Sequence, residues 1–210
     1  MLDKVKELFI LLYSLPSLIS SVGYFGLFLI IFAETGLMVG FFLPGDSLLV
    51  TAGLFASKGD LNIFFLIISL CTAAILGDST GYFIGKKAGQ RLFQKEDSRF
   101  FKKKYLCKTQ EFYEKYGGKT IVLARFVPII RTFAPVIAGI AKMNYKRFLF
   151  FNIFGGTFWV TGMLLVGYFL GKLIPNIEQN IHLVIILVIV ISFIPVLIEY
   201  YKTKNTVIKH

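Results

Sequence analysis

Charge, cysteine and histidine are all scarce in this sequence of 210 residues. Charged residues make up 17% of the chain and hydrophobic residues 56%, with a mean hydropathy of +0.71; soluble domains carry about 25% charged residues. Two cysteines and two histidines are too few for a disulfide framework, a histidine-based hydrolase or a metal cluster. A soluble enzyme of these classes is excluded, and no metal or cofactor is expected.

The apolar residues are concentrated in long blocks. Segments 148–171 and 181–198 contain no charged residue, and segment 61–85 contains only Asp78. As helices rising 1.5 Å per residue, all three are long enough to cross a hydrocarbon core of about 30 Å. The sequence therefore predicts an all-α polytopic membrane protein in which residues 1–210 form a single membrane domain.

The net charge of +11 is unevenly distributed along the chain. Segments 86–119, 142–147 and 199–210 are basic, whereas the links 58–60 and 172–180 are neutral. Because basic loops remain on the cytoplasmic side, we expect these three segments, and so the C-terminus, to be cytoplasmic. No nucleic-acid-binding module accompanies the basic residues, so nucleic acid is not an expected partner.

An internal repeat is visible when the chain is compared with itself. At a shift of 86 positions, the sequence Gly-Tyr-Phe-Ile-Gly-Lys at 81–86 falls on Gly-Tyr-Phe-Leu-Gly-Lys at 167–172, and Ala-Gly at 52–53 falls on Ala-Gly at 138–139. The charge pattern directs the two repeated spanning helices in opposite senses across the membrane. The sequence therefore predicts an inverted repeat, an arrangement that many transporters use to build a site near the bilayer midplane.

The predicted repeats have the following bounds. Repeat one covers about residues 1–89, with a hairpin at 22–57 and a spanning helix at 61–85, and repeat two covers about residues 119–172, with a hairpin at 120–141 and a spanning helix at 148–171. Segment 86–119 between them is predicted as a basic cytoplasmic loop. An amphipathic helix precedes the first hairpin, and a final spanning helix at 181–198 and a cytoplasmic tail at 199–210 follow the second repeat.

The stretches assigned to the hairpins are too short for two membrane crossings. In the second repeat, segments 120–127 and 132–141 each reach only about 12–15 Å as helix, and Pro128 interrupts them. Both flanks are basic, so we expect a re-entrant helical hairpin that enters and leaves on one side. The repeat predicts a second such hairpin facing the first, because non-helical backbone at membrane depth must be buried in protein or line a wet cavity.

Five charged residues fall within these predicted membrane segments: Glu34, Asp46, Asp78, Arg125 and Arg131. A charge at the centre of a membrane helix costs about 2.5–3.5 kcal/mol on insertion scales, so these groups must pair or face water. Two hypotheses remain open from the residues alone: salt bridges that lock the hairpins together, or an anionic headgroup site built on the two guanidinium groups, which suit phosphate. The break at Pro128 would let the two arginines converge.

The remaining helical patterns predict packing. Glycines at 77, 81, 85 and 89 recur every fourth residue and predict close helix contacts. Asn152 and Trp159 are assigned ordinary packing or interfacial roles.

The charged residues lie in motifs that resemble one family. The stretch Phe-Ala-Glu-Thr-Gly at 32–36, Phe-Leu-Pro-Gly-Asp-Ser at 42–47, Gly-Asp at 77–78, Arg-Phe-Val-Pro at 125–128 and Arg-Thr at 131–132 occur in this order. Together with Ala-Gly at 138–139 they resemble the DedA family, also described as the SNARE-associated or VTT-domain superfamily. The resemblance covers about residues 20–175.

The resemblance implies a lipid translocase of the bacterial inner membrane, a transporter and not an enzyme. The implied substrate is undecaprenyl phosphate, or a related anionic lipid phosphate, moved from the outer to the inner leaflet; phospholipid flipping or scrambling and cation/proton antiport are the alternatives. The family's essential acids map onto Glu34 and Asp46 and its essential arginines onto Arg125 and Arg131. The positions expected to support them are Pro44, Gly45, Asp78, Pro128 and Thr132.

The same resemblance implies the partners. Dependence on proton motive force would give Glu34 or Asp46 the role of carrying a coupling proton. The expected partners are an anionic membrane lipid, protons and further copies of the chain in a homo-oligomer.

Chemical labelling of the two cysteines tests the predicted topology. Cys107 lies in the basic segment, so an impermeant thiol reagent should label it only when the cytoplasmic face is opened, whereas Cys71 should stay protected in both preparations. Labelling is measured on intact cells and inside-out vesicles, with Cys107→Ser as the control. Labelling of Cys107 in intact cells would show that the protein has the opposite orientation in the membrane.

Overall fold

The computed structural model describes residues 15–37, 45–94, 117–125 and 128–173, and these ranges are all-helical. The helices are α1 (Leu15–Gly36), α2 (Gly45–Lys58), α3 (Ile63–Gln94), α4 (Gly117–Ala124), α5 (Pro128–Ile140) and α6 (Tyr145–Leu173). The all-α class is therefore confirmed for these residues. The predicted N-terminal interfacial helix, the final spanning helix at 181–198 and the tail at 199–210 lie outside them.

Two helices are long and apolar enough to cross a membrane. They are Ile63–Gly89 within α3 and Tyr145–Leu173, which is α6, and they contain the predicted segments 61–85 and 148–171. Their outer surfaces expose large apolar side chains, which is typical of surfaces that meet lipid; examples are Phe64, Ile68, Phe150, Phe154 and Phe158.

Helix α3 is longer than predicted. It continues to Gln94, so residues 86–94 are helical and not part of the predicted basic loop 86–119. This segment is rich in lysine, alanine, glutamine, arginine and leucine, which favour helix, and contains no proline. Basic residues therefore ended the apolar block without ending the helix.

The same type of cap begins both long helices. The side-chain oxygen of Asn62 accepts hydrogen bonds from the backbone N–H groups of the second and third residues that follow it, and Asn144 does the same at the start of α6. An asparagine at this position satisfies amide groups that have no partner within the helix. The preceding helices are each followed closely by a residue with left-handed backbone, Gly59 at φ 92° and Lys142 at φ 55°.

Helix α1 contains a kink at Gly23, whose backbone (φ 56°, ψ −158°) is not helical. A residue without a Cβ adopts this conformation at little cost. Glu34 and Thr35 lie in the last turn of α1, and Asp46 lies in the first turn of α2, where a carboxylate interacts favourably with the helix dipole.

Helices α4 and α5 occupy the segment predicted as the second hairpin. They contact each other, and with 8 and 13 residues they reach only about 12 and 20 Å, less than a hydrocarbon core of about 30 Å. Helix α5 begins at Pro128 and not at residue 132, because proline is well suited to the first position of a helix, where its missing N–H costs nothing. Pro135 lies inside the same helix.

The chain divides into two compact units. Of the described residues, the first unit contains 15–27, 45–67 and 161–173. The second contains 28–37, 68–94, 117–125 and 128–160.

In the second unit, α5 packs on the C-terminal half of α3 through glycines. A Cβ built on Gly85 would lie 2.0 Å from the carbonyl oxygen of Val136, and one on Gly139 would lie 2.0 Å from that of Tyr82. The two backbones are therefore in direct contact, as the glycine spacing predicts. The Tyr82 hydroxyl also donates a hydrogen bond to the Met143 carbonyl, which fixes the turn that follows α5.

The first unit contains a corresponding contact between α2 and the C-terminal half of α6. A Cβ on Gly167 would lie 1.9 Å from the carbonyl oxygen of Val50, and one on Gly53 would lie 2.1 Å from that of Leu164. Each unit thus contains a short helix held against a long one by glycines on both helices.

These contacts revise the register of the repeat. Val50 and Gly53 correspond to Val136 and Gly139 at the predicted shift of 86, but Gly167 takes the place of Gly85 and not of Gly81. The long helices therefore correspond at a shift of 82, as do their caps at Asn62 and Asn144. Glycines recurring every fourth residue match at registers one turn apart, so the sequence match alone could not distinguish them.

A substitution at Gly139 tests the backbone contact. Gly139→Ala should destabilise the protein by about 1–3 kcal/mol, because its methyl group would overlap the Tyr82 carbonyl. Gly162→Ala in α6 is the matched control, because nothing lies within 4 Å of a Cβ at that position. The measurement is the unfolding temperature in detergent; equal values for the two variants would contradict the contact.

Candidate functional site

Four charged side chains are buried together in the second unit. Glu34 is 0% exposed, Asp78 2%, Arg125 4% and Arg131 5%. They come from α1, α3, the residue that follows α4, and α5. We call these four residues the charge cluster.

Close packing at Gly77 brings the end of α1 against the middle of α3. A Cβ on Gly77 would lie 2.0 Å from the Thr35 hydroxyl, and one on Gly36 would lie 2.8 Å from the Gly77 carbonyl oxygen. This approach places Glu34, the residue before Thr35, and Asp78, the residue after Gly77, in the same buried region.

Arg125 lies directly after α4 and is held by acceptors on two residues. Its Nη2 atom forms an ion pair with Asp78 Oδ2 and donates a hydrogen bond to Asn152 Oδ1. The Asn152 amide nitrogen in turn donates to the Ile75 carbonyl at 3.1 Å. Helices α3 and α6 therefore fix the arginine through a single nitrogen.

Two glycines of α6 make room for this guanidinium group. A Cβ on Gly155 would lie 3.1 Å from Arg125 Nε, and one on Gly156 would lie 3.3 Å from Arg125 Nη2. Within the part of the chain that the structure describes, Arg125 Nε and Nη1 and Asp78 Oδ1 have no hydrogen-bond partner. Buried polar atoms in this state are uncommon in folded proteins and indicate a ligand, a water or a functional role.

Arg131 forms the second ion pair. Its Nη2 atom lies 2.8 Å from Glu34 Oε1, and its guanidinium carbon lies 4.3 Å from the centre of the Trp159 ring. A guanidinium over an indole face gains cation–π attraction, most strongly where water is excluded. Arg131 is also near enough to Asp78 and Arg125 to interact electrostatically with both.

The charge cluster is formally neutral, with two acids and two bases. Each charge left alone in an apolar membrane core would cost about 2.5–3.5 kcal/mol on insertion scales, and the pairing reduces that cost. Removing one partner of a buried pair costs about 3–5 kcal/mol, because an uncompensated charge remains. The burial of each charged group in the cluster is therefore tolerated only because its partner carries the opposite charge.

The other predicted site residues are placed as follows. Thr132 is buried beside Arg131, and Pro128 begins α5. Asp46 and Gly45 begin α2 and belong to the first unit. Pro44 lies outside the described residues. The two arginines bind different acids, although the break before α5 does bring both into one cluster as predicted.

The roles assigned to Asn152 and Trp159 were wrong. Asn152 binds Arg125, and Trp159 lies under Arg131. The signal was present in the spacing: Asn152, Gly155, Gly156 and Trp159 occupy positions i, i+3, i+4 and i+7, which form one face of a helix. One asparagine, two glycines and the tryptophan on one face of an otherwise apolar helix are therefore the sequence signal that indicates the site.

Comparison with known proteins identifies the family. The model of the VTT domain matches residues 43–169, more than half of the chain. The chain is also 47% identical to Protein DedA of Escherichia coli K12 over 91% of this chain and 89% of that protein. The chain belongs to the DedA family.

The chain is also similar to two further membrane proteins. An uncharacterized membrane protein of Mycobacterium tuberculosis is 49% identical over 83% of this chain and 77% of its own length. The inner membrane protein YqjA of Escherichia coli K12 is 37% identical over 75% of this chain and 71% of its own length. No solved structure matches the chain. The sequence is thus that of a DedA-family membrane protein.

The Glu34–Arg131 pair is tested by removing one or both charges. Arg131→Met should destabilise the protein by about 3–5 kcal/mol, because it leaves Glu34 charged and buried without its arginine. The double variant Arg131→Met with Glu34→Leu should recover most of that loss. Unfolding in detergent is the measurement; a double variant as unstable as the sum of the single variants would show that the two residues are not coupled.

Proposed function

We propose that this DedA-family chain is a membrane lipid translocase and not an enzyme. It moves undecaprenyl phosphate, or a related anionic lipid phosphate, from the outer to the inner leaflet of the bacterial inner membrane and depends on proton motive force. Its C-terminus is cytoplasmic, and the charge cluster receives the phosphate while the prenyl tail stays in lipid.

One observation carries the proposal: Arg125 is buried, yet two of its three guanidinium nitrogens have no hydrogen-bond partner within the described ranges. A guanidinium group stays protonated and binds phosphate through several N–H groups at once. A phosphate oxygen would satisfy donors that the described residues leave without a hydrogen bond. The site is thus suited to an anion.

The repeated helix contacts support a route across the membrane. A short helix packs on a long one through glycines in both units, at positions that correspond along the chain. Opposite orientation of the two repeats in the membrane would give related structures on either side of the bilayer. Inverted repeats of this type allow alternating exposure of a central site, with the short helices forming facing re-entrant hairpins.

The hypothesis that the salt bridges serve only to lock the hairpins together explains fewer features of the charge cluster. Of the two ion pairs present, Glu34–Arg131 joins the two predicted hairpins, whereas Asp78–Arg125 joins the second predicted hairpin to the spanning helix α3. However, a buried ion pair is often no more stabilising than apolar side chains of similar volume. An arginine that served only to lock two helices would also be more stabilising with its remaining nitrogens bonded. Phosphate binding accounts for both features.

The two transport alternatives differ in what the site must bind. A cation/proton antiporter needs clustered carboxylates, whereas Asp78 and Glu34 each pair with an arginine, and in the described ranges no three histidine, cysteine or acidic residues come together. Phospholipid flipping or scrambling uses the same phosphate chemistry as the proposal. Only the tail and the direction of movement distinguish it.

Depletion of the protein tests the proposed function. Cells that lack it and any paralogue should expose more lipid phosphate on the outer leaflet, as measured with an impermeant phosphate-binding probe. The wild-type chain should reverse this, and Arg125→Lys should be at least about tenfold less active, because lysine offers no planar fork to a phosphate.

The matched control is Arg147→Lys, the same substitution at an exposed residue outside the charge cluster, which should retain full activity. Unchanged exposure of lipid phosphate after depletion, together with no flipping by purified protein in vesicles, would overturn the lipid proposal and favour ion antiport.

A further inference from the structure

Asp78 and Asn152 bind the same atom of Arg125. Asp78 Oδ2 and Asn152 Oδ1 both accept from Nη2, whereas Nε and Nη1 have no hydrogen-bond partner among the residues described. One acceptor is charged and the other is neutral. The arginine is thus anchored by a group that can change its charge and by a group that cannot.

The charge of the cluster constrains what can enter it. Glu34 and Asp78 balance Arg125 and Arg131, so the cluster is neutral when all four are ionised. A lipid monophosphate that kept one negative charge would leave the buried site with a net charge of −1. Binding of one proton to a carboxylate of the cluster would restore neutrality at the depth where net charge is most costly.

Asp78 is the carboxylate of the cluster that shares its arginine with a neutral hydrogen-bond acceptor, Asn152, and we therefore assign the proton to it. Its Oδ1 is buried and has no hydrogen-bond partner within the described ranges, so a proton there breaks no existing bond. If Asp78 becomes neutral, Asn152 still holds Arg125, because its own amide is fixed to the Ile75 carbonyl. The guanidinium group would then remain in place and be available to a new anion.

Several groups of the second unit lie near Asp78 or its arginine. Arg125 contacts it directly, α5 contributes Arg131, and α1 contributes Glu34, which pairs with Arg131. On α3 itself, Cys71 interacts electrostatically with Arg125. Helix α6 contributes the neutral Asn152.

We infer that Asp78 is an internal counter-anion of Arg125, that the incoming phosphate displaces it, and that the displaced carboxylate takes up one proton from water. Arg125 stays protonated throughout, and release of the phosphate reverses the exchange and returns the proton. This inference rests on the proposed function and assigns the coupling proton to Asp78 in place of Glu34 or Asp46.

The exchange predicts proton uptake on anion binding. Purified wild-type protein in weakly buffered detergent should take up about one proton for each farnesyl phosphate bound, and Asp78→Asn should take up about one proton fewer. Asp78→Asn should also bind farnesyl phosphate about tenfold more tightly, because no carboxylate competes for Arg125 and because proton and anion binding are reciprocally linked. Comparison of the two proteins at one pH separates uptake by the protein from protonation of the probe.

Two controls separate this role from a structural one. Thr80→Val removes a hydroxyl whose one hydrogen bond among the described residues goes to the Leu76 carbonyl of the same helix, and it should behave as the wild type. The double variant Asp78→Asn with Asn152→Asp moves the acid to the other acceptor of Arg125, keeps the cluster neutral and should restore proton uptake. It also keeps the test decisive if Asp78→Asn alone does not fold. Absence of uptake by the wild type, or equal uptake by Asp78→Asn, overturns the inference.

Vesicles distinguish this inference from the proposed function. If the wild type takes up protons with farnesyl phosphate but moves no prenyl phosphate in proteoliposomes, the proposed function fails and the exchange stands. If an imposed pH gradient drives prenyl phosphate transport equally in the wild type and Asp78→Asn, the function stands and the assignment of the proton to Asp78 fails.

Discussion

A charged group in apolar surroundings must be neutralised by a neighbour, and this constraint organises the second unit of the protein. Two arginines and two acids from four segments form a neutral buried cluster, and each arginine has a further neutral contact, with Asn152 or with Trp159. None of these groups could be buried alone without the cost of a naked charge. The helices that carry them therefore depend on one another for more than apolar packing.

Glycine provides the means by which the helices approach so closely. In lipid, apolar side chains gain little from association, so contact between helices depends on van der Waals packing and on small residues that let backbones meet. The glycines of α3 allow α1 and α5 to pack against it at different positions along its length. Gly77 contacts the end of α1, and Gly85 contacts Val136 of α5. This packing places Glu34 and Arg131 near Asp78.

The cluster combines a stable charge balance with incomplete hydrogen bonding. Neutrality explains how four ionised groups can be buried, whereas the unbonded atoms of Arg125 and Asp78 indicate that the arrangement is not optimised for stability alone. Features of this type concentrate at functional sites, where binding of a ligand completes the interactions. In a DedA-family membrane protein, an anionic lipid headgroup has the chemistry to do so, and a proton can preserve the charge balance.

The sequence by itself determined the helical class, the two long apolar helices, the break before α5 and the residues Glu34, Asp78, Arg125 and Arg131, because hydropathy, proline and misplaced charge are local signals. Tertiary structure decided which charges pair and that Asn152 and Trp159 contact the two arginines. It also decided that Asp46 belongs to the other unit and that the long helices correspond at a shift of 82. Pairing depends on how helices distant in the chain are rotated and spaced, and a glycine every fourth residue fits neighbouring registers equally well. The backbone contacts at Gly85 and Gly167 select one of them.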